Sequence, residues 1–431
     1  MTATAPSARA ANPTPRRVAS RALYSLLSAH AISQTGNVVT AFAIPFYVLS
    51  TGGSGIEVGL AAFAATAPAI VGAVFGGVVI DRIGGRRTAI VADVISGATV
   101  LAIPALALTV GLPFWALLLL VFASGVLDTP GQIARRVMLP ELTEAAHIRI
   151  ERSVGLLDGS ERLSKLIGAS VAGALVALLG PMAALLANAA AFFVSATVTR
   201  WMVPATTVRI AGDGPEAAAP RSSYWRELRD GLRFVVRDPL MRLIIGLVLV
   251  TNLLDAARSG ALLPLYADTE LGGAADLAVI VAVMAGCALA GNIAFGFIAH
   301  RMPRRLTFAL CFIVAGGPST AVFALGAPFP ALVTAVGISG LAAGALNPIL
   351  GAVQLERIPA SMRGRVFGLL NAGTWAGVPL GALLGGIAAD GLGLFVSFGI
   401  VAVVYTVATA LPLTGGTWRL MERPREDRTA P

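Results

Sequence analysis

One lysine, two cysteines and three histidines are all that this chain of 431 residues holds of those types. Cys287 and Cys311 fall on separate apolar stretches, so no disulfide framework is implied. The single lysine, Lys165, is followed by Leu166, which rules out the Gly-x-x-x-x-Gly-Lys-Ser/Thr phosphate loop and nucleotide hydrolysis by that route. Neither a Gly-x-Ser-x-Gly elbow nor a His-Glu-x-x-His pair occurs, and His30, His147 and His300 are placed at or near the ends of apolar stretches or in a loop. The chain therefore does not read as an enzyme, and nothing in it calls for a metal or a cofactor. Charge is scarce too. Only 13% of residues are charged, about half of the ~25% that a solvated surface requires. With 56% apolar residues and a mean hydropathy of +0.80, the surface must largely face lipid.

The apolar residues come in runs of about 20, enough to cross a ~30 Å hydrocarbon layer as helix. Twelve spans are predicted, roughly 24–49, 57–80, 88–110, 113–134, 154–179, 182–203, 243–266, 277–299, 306–325, 330–354, 366–389 and 393–413. A net charge of +9 is open to misreading as a nucleic-acid signal, but the distribution of the charge argues otherwise. Arginine falls in alternate connections: Arg9, Arg16, Arg17 and Arg21 before span one, Arg82, Arg86 and Arg87 after span two, and none in the turns between. Basic residues that face one side place both termini and the central connection in the cytoplasm of a bacterial cell, as a multi-pass protein of its membrane.

The chain also repeats itself. Shifted by 219 residues, Pro45 and Tyr47 fall on Pro264 and Tyr266, Gly77 and Arg82 on Gly296 and Arg301, Gly125 on Gly344 and Pro140 on Pro359. A small gap then brings Asp158 onto Asn371 and Gly168 onto Gly381. Such a repeat in so apolar a chain is the symmetry of a secondary transporter with two parallel halves. The expected fold is an all-α membrane protein of two six-helix bundles, 23–204 and 243–414. The flanking segments are a disordered tail (1–22), a linker (205–242) and a second tail (415–431). Within the linker, Trp225 to Arg237 alternates apolar residues and arginines at helical spacing, which fits an interfacial helix and, equally, a solvated connector.

Span two closes on Gly77-x-x-x-Asp81-Arg82-x-Gly84-Gly85-Arg86-Arg87, and the second half holds a degraded copy from Gly296 to Arg305. An acid at this position can stabilise a neighbouring helix's positive N-terminus. With the twelve spans and the long central connection, this motif resembles the major facilitator superfamily over residues 24–415. The turn Pro45-Phe46-Tyr47 and the stretch Gly59–Gly77 resemble its enterobactin-exporter and macrolide-efflux-like branch. The resemblance implies that Gly77, Asp81, Arg82, Gly84, Arg86 and Arg87 latch the two bundles when the transporter opens outward. Two positions depart from the drug–proton antiporters of that family. Ser124, not arginine, precedes Gly125, and Ala169, not proline, follows Gly168.

Ionisable side chains inside a span cost about 2.5–3.5 kcal/mol each at its centre, so they tend to mark function. Asp158, Glu161, Arg162 and Lys165 share one arc of span five, while Asn252, Asp255 and Ser259 share a face of span seven with Arg258 further round. Gln34 and Asn37 lie at a matching level of span one. Pairing within each helix (Asp158 with Arg162, Glu161 with Lys165, Asp255 with Arg258) would make these clusters structural staples. Facing a cavity, they would bind substrate or the coupling proton. Asp128 in span four has no base within four positions, and either completes the Asp81/Arg86 network or carries the proton. Asp93 is expected to pair with Arg86 or Arg87, and Trp375 to stack an apolar substrate or to pack against lipid or helices. A mostly apolar path with few charges favours export of amphipathic drug-, antibiotic- or siderophore-like compounds by a monomeric proton antiporter. The main rival is a proton-coupled nutrient importer, with a non-transporting receptor more remote. His30 beside an acid in a sealed pocket would instead favour a membrane enzyme.

Overall fold

The structure is a computed structural model that describes residues 16–204, 224–359 and 362–422. Among the described residues it is all-helical, and a helix satisfies its own N–H and C=O groups where the backbone crosses lipid without water. Among the described residues, ten helices are long and apolar enough to span a membrane. One of them, Ile150–Met202, reverses at Gly180, whose φ of 83° only glycine adopts freely, and so makes two crossings. The pair Gly55–Thr66 and Pro68–Ile83, joined at Ala67, supplies the remaining one. The twelve spans are therefore 16–50, 55–83, 85–109, 114–145, 150–179, 181–202, 239–270, 274–298, 304–324, 329–357, 363–392 and 394–410.

Several boundaries differ from the sequence expectation. Span one begins at Arg16, so its first turns lie in the predicted tail, where Ala19 and Ala22 are already buried. Beyond span twelve the chain folds back: Trp418 and Met421 are buried, the indole against Phe308. Tyr224–Arg237 is a helix whose Val235 packs with Ile358, Val366 and Leu370 beneath spans ten and eleven. Residues 205–223, half of the predicted linker, lie outside the described residues, as do 1–15 and 423–431 of the tails.

The repeat is visible as shared local structure. Gly180 and Gly393 turn spans five into six and eleven into twelve with φ of 83° and 85°. Arg86 donates to the carbonyl of Arg200 at the end of span six. Its counterpart 219 residues on, Arg305, donates to the carbonyls of Pro412 (2.7 Å) and Leu413 (2.6 Å) at the end of span twelve. In each half an arginine thus caps the C-terminus of the last helix, where unpaired carbonyls carry partial negative charge.

The halves meet through spans two and eleven, five and eight, two and seven, and one and seven. The close glycine contacts among them, Gly55 with Gly386, Gly59 with Ala382 and Gly173 with Ala278, lie toward the end opposite the arginine-rich connections, here called the far end. There Gly55 and Gly386 touch so closely that a Cβ on Gly386 would collide with the Gly55 carbonyl. Asp390, at the end of span eleven, accepts hydrogen bonds from the backbone N–H groups of Gly55 and Ile56, both at 2.8 Å. The carboxylate sits on the N-terminus of span two, whose dipole favours an anion. An acid of one half thus clasps a helix of the other.

Candidate substrate cleft

Span five shows where the halves part. Near the far end its face of Ala169, Ala172, Gly173 and Val176 is buried against span eight, with Gly173 beside Ala278. At 100° per residue, Asp158, Arg162 and Lys165 continue that face toward the basic end. There they are exposed. The strip that is interface at one end is therefore the wall of an open cleft at the other. Span eleven behaves alike. Leu383 and Gly386 pack on span two, and Trp375, two to three turns earlier on the same face, is 59% exposed. On span eight, Leu289 and Ile293 continue the face of Ala274 and Ala278 and are likewise exposed. One wall of the cleft is charged and the facing walls are apolar and aromatic.

The charges of span five do not pair along their own helix. Arg136 of span four takes the acids instead, bonded to Glu161 and 3.9 Å from Asp158. Glu161 also meets His30 Nε2 of span one at 3.1 Å. The within-helix pairs Asp158–Arg162 and Glu161–Lys165, the structural alternative, are absent among the described residues, because Arg136 of span four and His30 of span one take the acids. His30 is buried inside span one rather than at its end. It stands beside an acid, yet in an open site, since the Glu161 side chain keeps 22% of its surface exposed.

A second network joins Gln34, Asn37 and Asp128. Asn37 donates to Asp128 at 2.8 Å and to Gln34 at 3.3 Å, and Gln132 donates to Asp128 at 2.5 Å. Asp128 is buried, held by amides rather than by a base, and does not join Asp81 or Arg86. Asp93 pairs with neither Arg86 nor Arg87. It takes both oxygens to Arg135 of span four and accepts from Ser195 of span six at 2.7 Å, with acid and base side chains 0% exposed. The reason is rotation: Asp93 faces into the bundle, whereas Arg87 is exposed at its rim.

In the second half Asp255 and Arg258 do pair, at 3.2 Å. Tyr405 of span twelve donates to Asp255 at 3.3 Å, and Arg258 reaches Thr320 of span nine at 3.3 Å. Immediately beyond, Arg258–Leu262 winds as a π-helix, a form that recurs at functional sites. Asn252 donates to the carbonyl of Thr374 at 2.8 Å, tying span seven to the backbone beside Trp375. The side chain of Asn371 and the surroundings of Gly77 lie outside the described residues. Asp81, Arg82 and Arg87 are exposed at the basic end, clear of the other half among the described residues. Sequence reasoning missed His30, Arg136 and Asp390 as site residues. Only Asp390, an acid at a predicted span end, carried a signal that could have been read.

The family model described as Major Facilitator Superfamily matches twice, over residues 26–273 and 247–431. The chain belongs to that superfamily. Among relatives of this superfamily member, the multidrug efflux pump Tap of Mycolicibacterium fortuitum is 29% identical over 385 residues, covering 87% of this chain and 91% of Tap. The Tap protein of Mycobacterium tuberculosis (strain ATCC 25618 / H37Rv) is 28% identical over 90% of each chain. A crystal structure of the nucleoside transporter NupG shares the fold at a TM-score of 0.67 and 13% identity, covering 91% of this chain and 98% of NupG.

Proposed function

We propose that this transporter exports small amphipathic compounds by proton antiport, alternating between cleft-open states on the two sides of the membrane. The similarity to multidrug efflux pumps along nine-tenths of the chain carries this reading. The arginine-rich end is cytoplasmic by the positive-inside rule. The structure is then the inward-open state, with Asp390 clasping the outer gate. In that state the motif at Asp81 stands released, as an outward-state latch would. Substrate enters the cleft from the cytoplasm or the inner leaflet and meets the charged wall of span five and Trp375. For coupling, an acid must alternate between a protonated, enclosed form and an ionised, wetted one. Asp255 ranks first, half-exposed beside a π-helix; Asp158 and Glu161 follow, then Asp128. The test is extrusion of a panel of antibiotics and siderophores from a host lacking its own pumps. Extrusion against a gradient that collapses with an uncoupler supports the reading, and net accumulation or indifference to the uncoupler overturns it.

A further inference from the structure

Two cations of the cleft have no use in the fold. Arg162 and Lys165 are exposed, one turn apart on the strip of span five that faces the other half, and neither forms an ion pair or hydrogen bond among the described residues. The acids nearest in sequence are engaged elsewhere: Glu161 by Arg136 and His30, Asp158 toward Arg136. Arg136, Arg162 and Lys165 against Asp158 and Glu161 leave this wall one positive charge in excess, concentrated on its unpaired pair. On the strips of spans eight and eleven that continue their interfaces with the first half stand exposed apolar groups, Leu289 and Ile293 and the indole of Trp375. An unpaired cation pair at membrane depth is costly and gains most from an anion brought to it.

Resting on the efflux reading above, we propose that the cleft selects amphipathic anions: a carboxylate, sulfonate or phosphate seated between Arg162 and Lys165, its apolar body against Trp375, Leu289 and Ile293. The guanidinium offers a two-pronged fork to such a head group, and the ammonium a point charge. The same head group occurs on anionic lipids, so the source of the occupant has to be separated by experiment. Asp158, one turn before Arg162 on the same strip, limits how strongly the anion is held.

The experiment measures binding, without transport, to the purified full chain in phosphatidylcholine nanodiscs, with empty nanodiscs subtracted. Three probes share one apolar body: pyrenebutyrate, pyrenebutanol and a pyrenebutyl-trimethylammonium salt. The wild type should bind the carboxylate about ten-fold more tightly than the alcohol, and the ammonium more weakly than either. In the double variant Arg162→Gln, Lys165→Gln the carboxylate preference should fall below about two-fold. The charge-conserving pair Arg162→Lys, Lys165→Arg should keep it, and Asp158→Asn should sharpen it several-fold. Equal binding of the three probes by the wild type, or an undiminished preference in the double glutamine variant, overturns the proposal. Should the double variant not fold, an unchanged preference in Asp158→Asn overturns it alone. Nanodiscs containing phosphatidylglycerol decide the source: a preference that persists assigns the site to cargo, and one that vanishes assigns it to lipid and overturns the cargo claim. Because only binding is read, failure of efflux in cells would remove the antiporter reading without touching this result.

Discussion

Each half of the molecule holds an arginine–carboxylate pair at membrane depth, and the two are built differently. In the first, Asp93, Arg135 and Ser195 join spans three, four and six, with both charged side chains fully enclosed. In the second, Arg258 is enclosed but Asp255 keeps 41% of its side chain exposed, and Tyr405 steadies it from span twelve. An enclosed pair has already lost its water and is recovered only by its geometry; separating it is expensive. A pair with one partner open to solvent can exchange that partner's proton or accept a different counter-ion at modest cost. The first pair is placed to hold a bundle together, and the second to change state.

Breaking the enclosed pair should give the largest effect. Arg135→Ala leaves Asp93 buried and unpaired, a loss of about 3–5 kcal/mol. Thermal unfolding of the detergent-purified protein, followed by size-exclusion chromatography, should show a melting point many degrees lower or no folded peak. Replacing both partners, Asp93→Leu with Arg135→Met, should restore most of that loss. A melting point unchanged in Arg135→Ala would show that the pair holds nothing.

The open pair should respond in function rather than in stability. Asp255→Asn keeps the shape and the Tyr405 contact, so the melting point should stay within a few degrees of the wild type. Gradient-driven efflux should be lost, while exchange of substrate down its own gradient continues. If Asp255→Asn still exports against a gradient that an uncoupler collapses, Glu161→Gln, Asp158→Asn and Asp128→Asn are the next variants to separate. If all four export so, the coupling site lies elsewhere.

The contrast between the pairs also shows what the sequence could and could not reveal. Twelve spans, the alternation of arginine and the 219-residue repeat rest on composition and period, which a linear reading captures. Asp255 and Arg258 were legible because they are neighbours on one helix. Asp93 and Arg135 were not, being 42 residues apart and brought together by the rotation of two helices. For the same reason Glu161 looked like a partner for Lys165 until the structure gave it Arg136 and His30. Helical spacing says which residues share a face; it does not say which helix that face meets. The depth at which the halves separate decides whether the face of span five is interface or cleft, and no local pattern encodes it.

A smaller effect is expected at the gates. Asp390→Asn leaves one acceptor oxygen where the carboxylate offers two, so one of the bonds to the start of span two is lost and the other loses its charge, a change of about 1.5 kcal/mol or more. That shifts the balance between cleft-open states by about ten-fold. Double electron–electron resonance between labels on the two halves should show the far-end distance lengthen in Asp390→Asn. Asp81→Asn should shift the population the opposite way if its motif closes the basic end in the other state. Identical distance distributions in Asp390→Asn and the wild type would remove Asp390 from the gate.

The smallest effect separates two roles for one arginine. As a cap on span six, Arg86 should contribute about 0.3–1 kcal/mol, and Arg305, with two carbonyls on span twelve, somewhat more. If capping is all they do, Arg86→Ala and Arg305→Ala should each lower the melting point slightly and leave transport per folded molecule nearly intact. If Arg86 also takes part in the latch of the outward-open state, its variant should cut transport strongly at matched protein level while Arg305→Ala does not. The repeat makes Arg305 an internal control, because it shares the local geometry of Arg86 but sits in the half whose copy of the motif has His300 in place of the acid. Equal transport by the two variants would confine Arg86 to the end of its own helix bundle. Unequal transport at equal stability would place the difference in the state that this structure does not occupy.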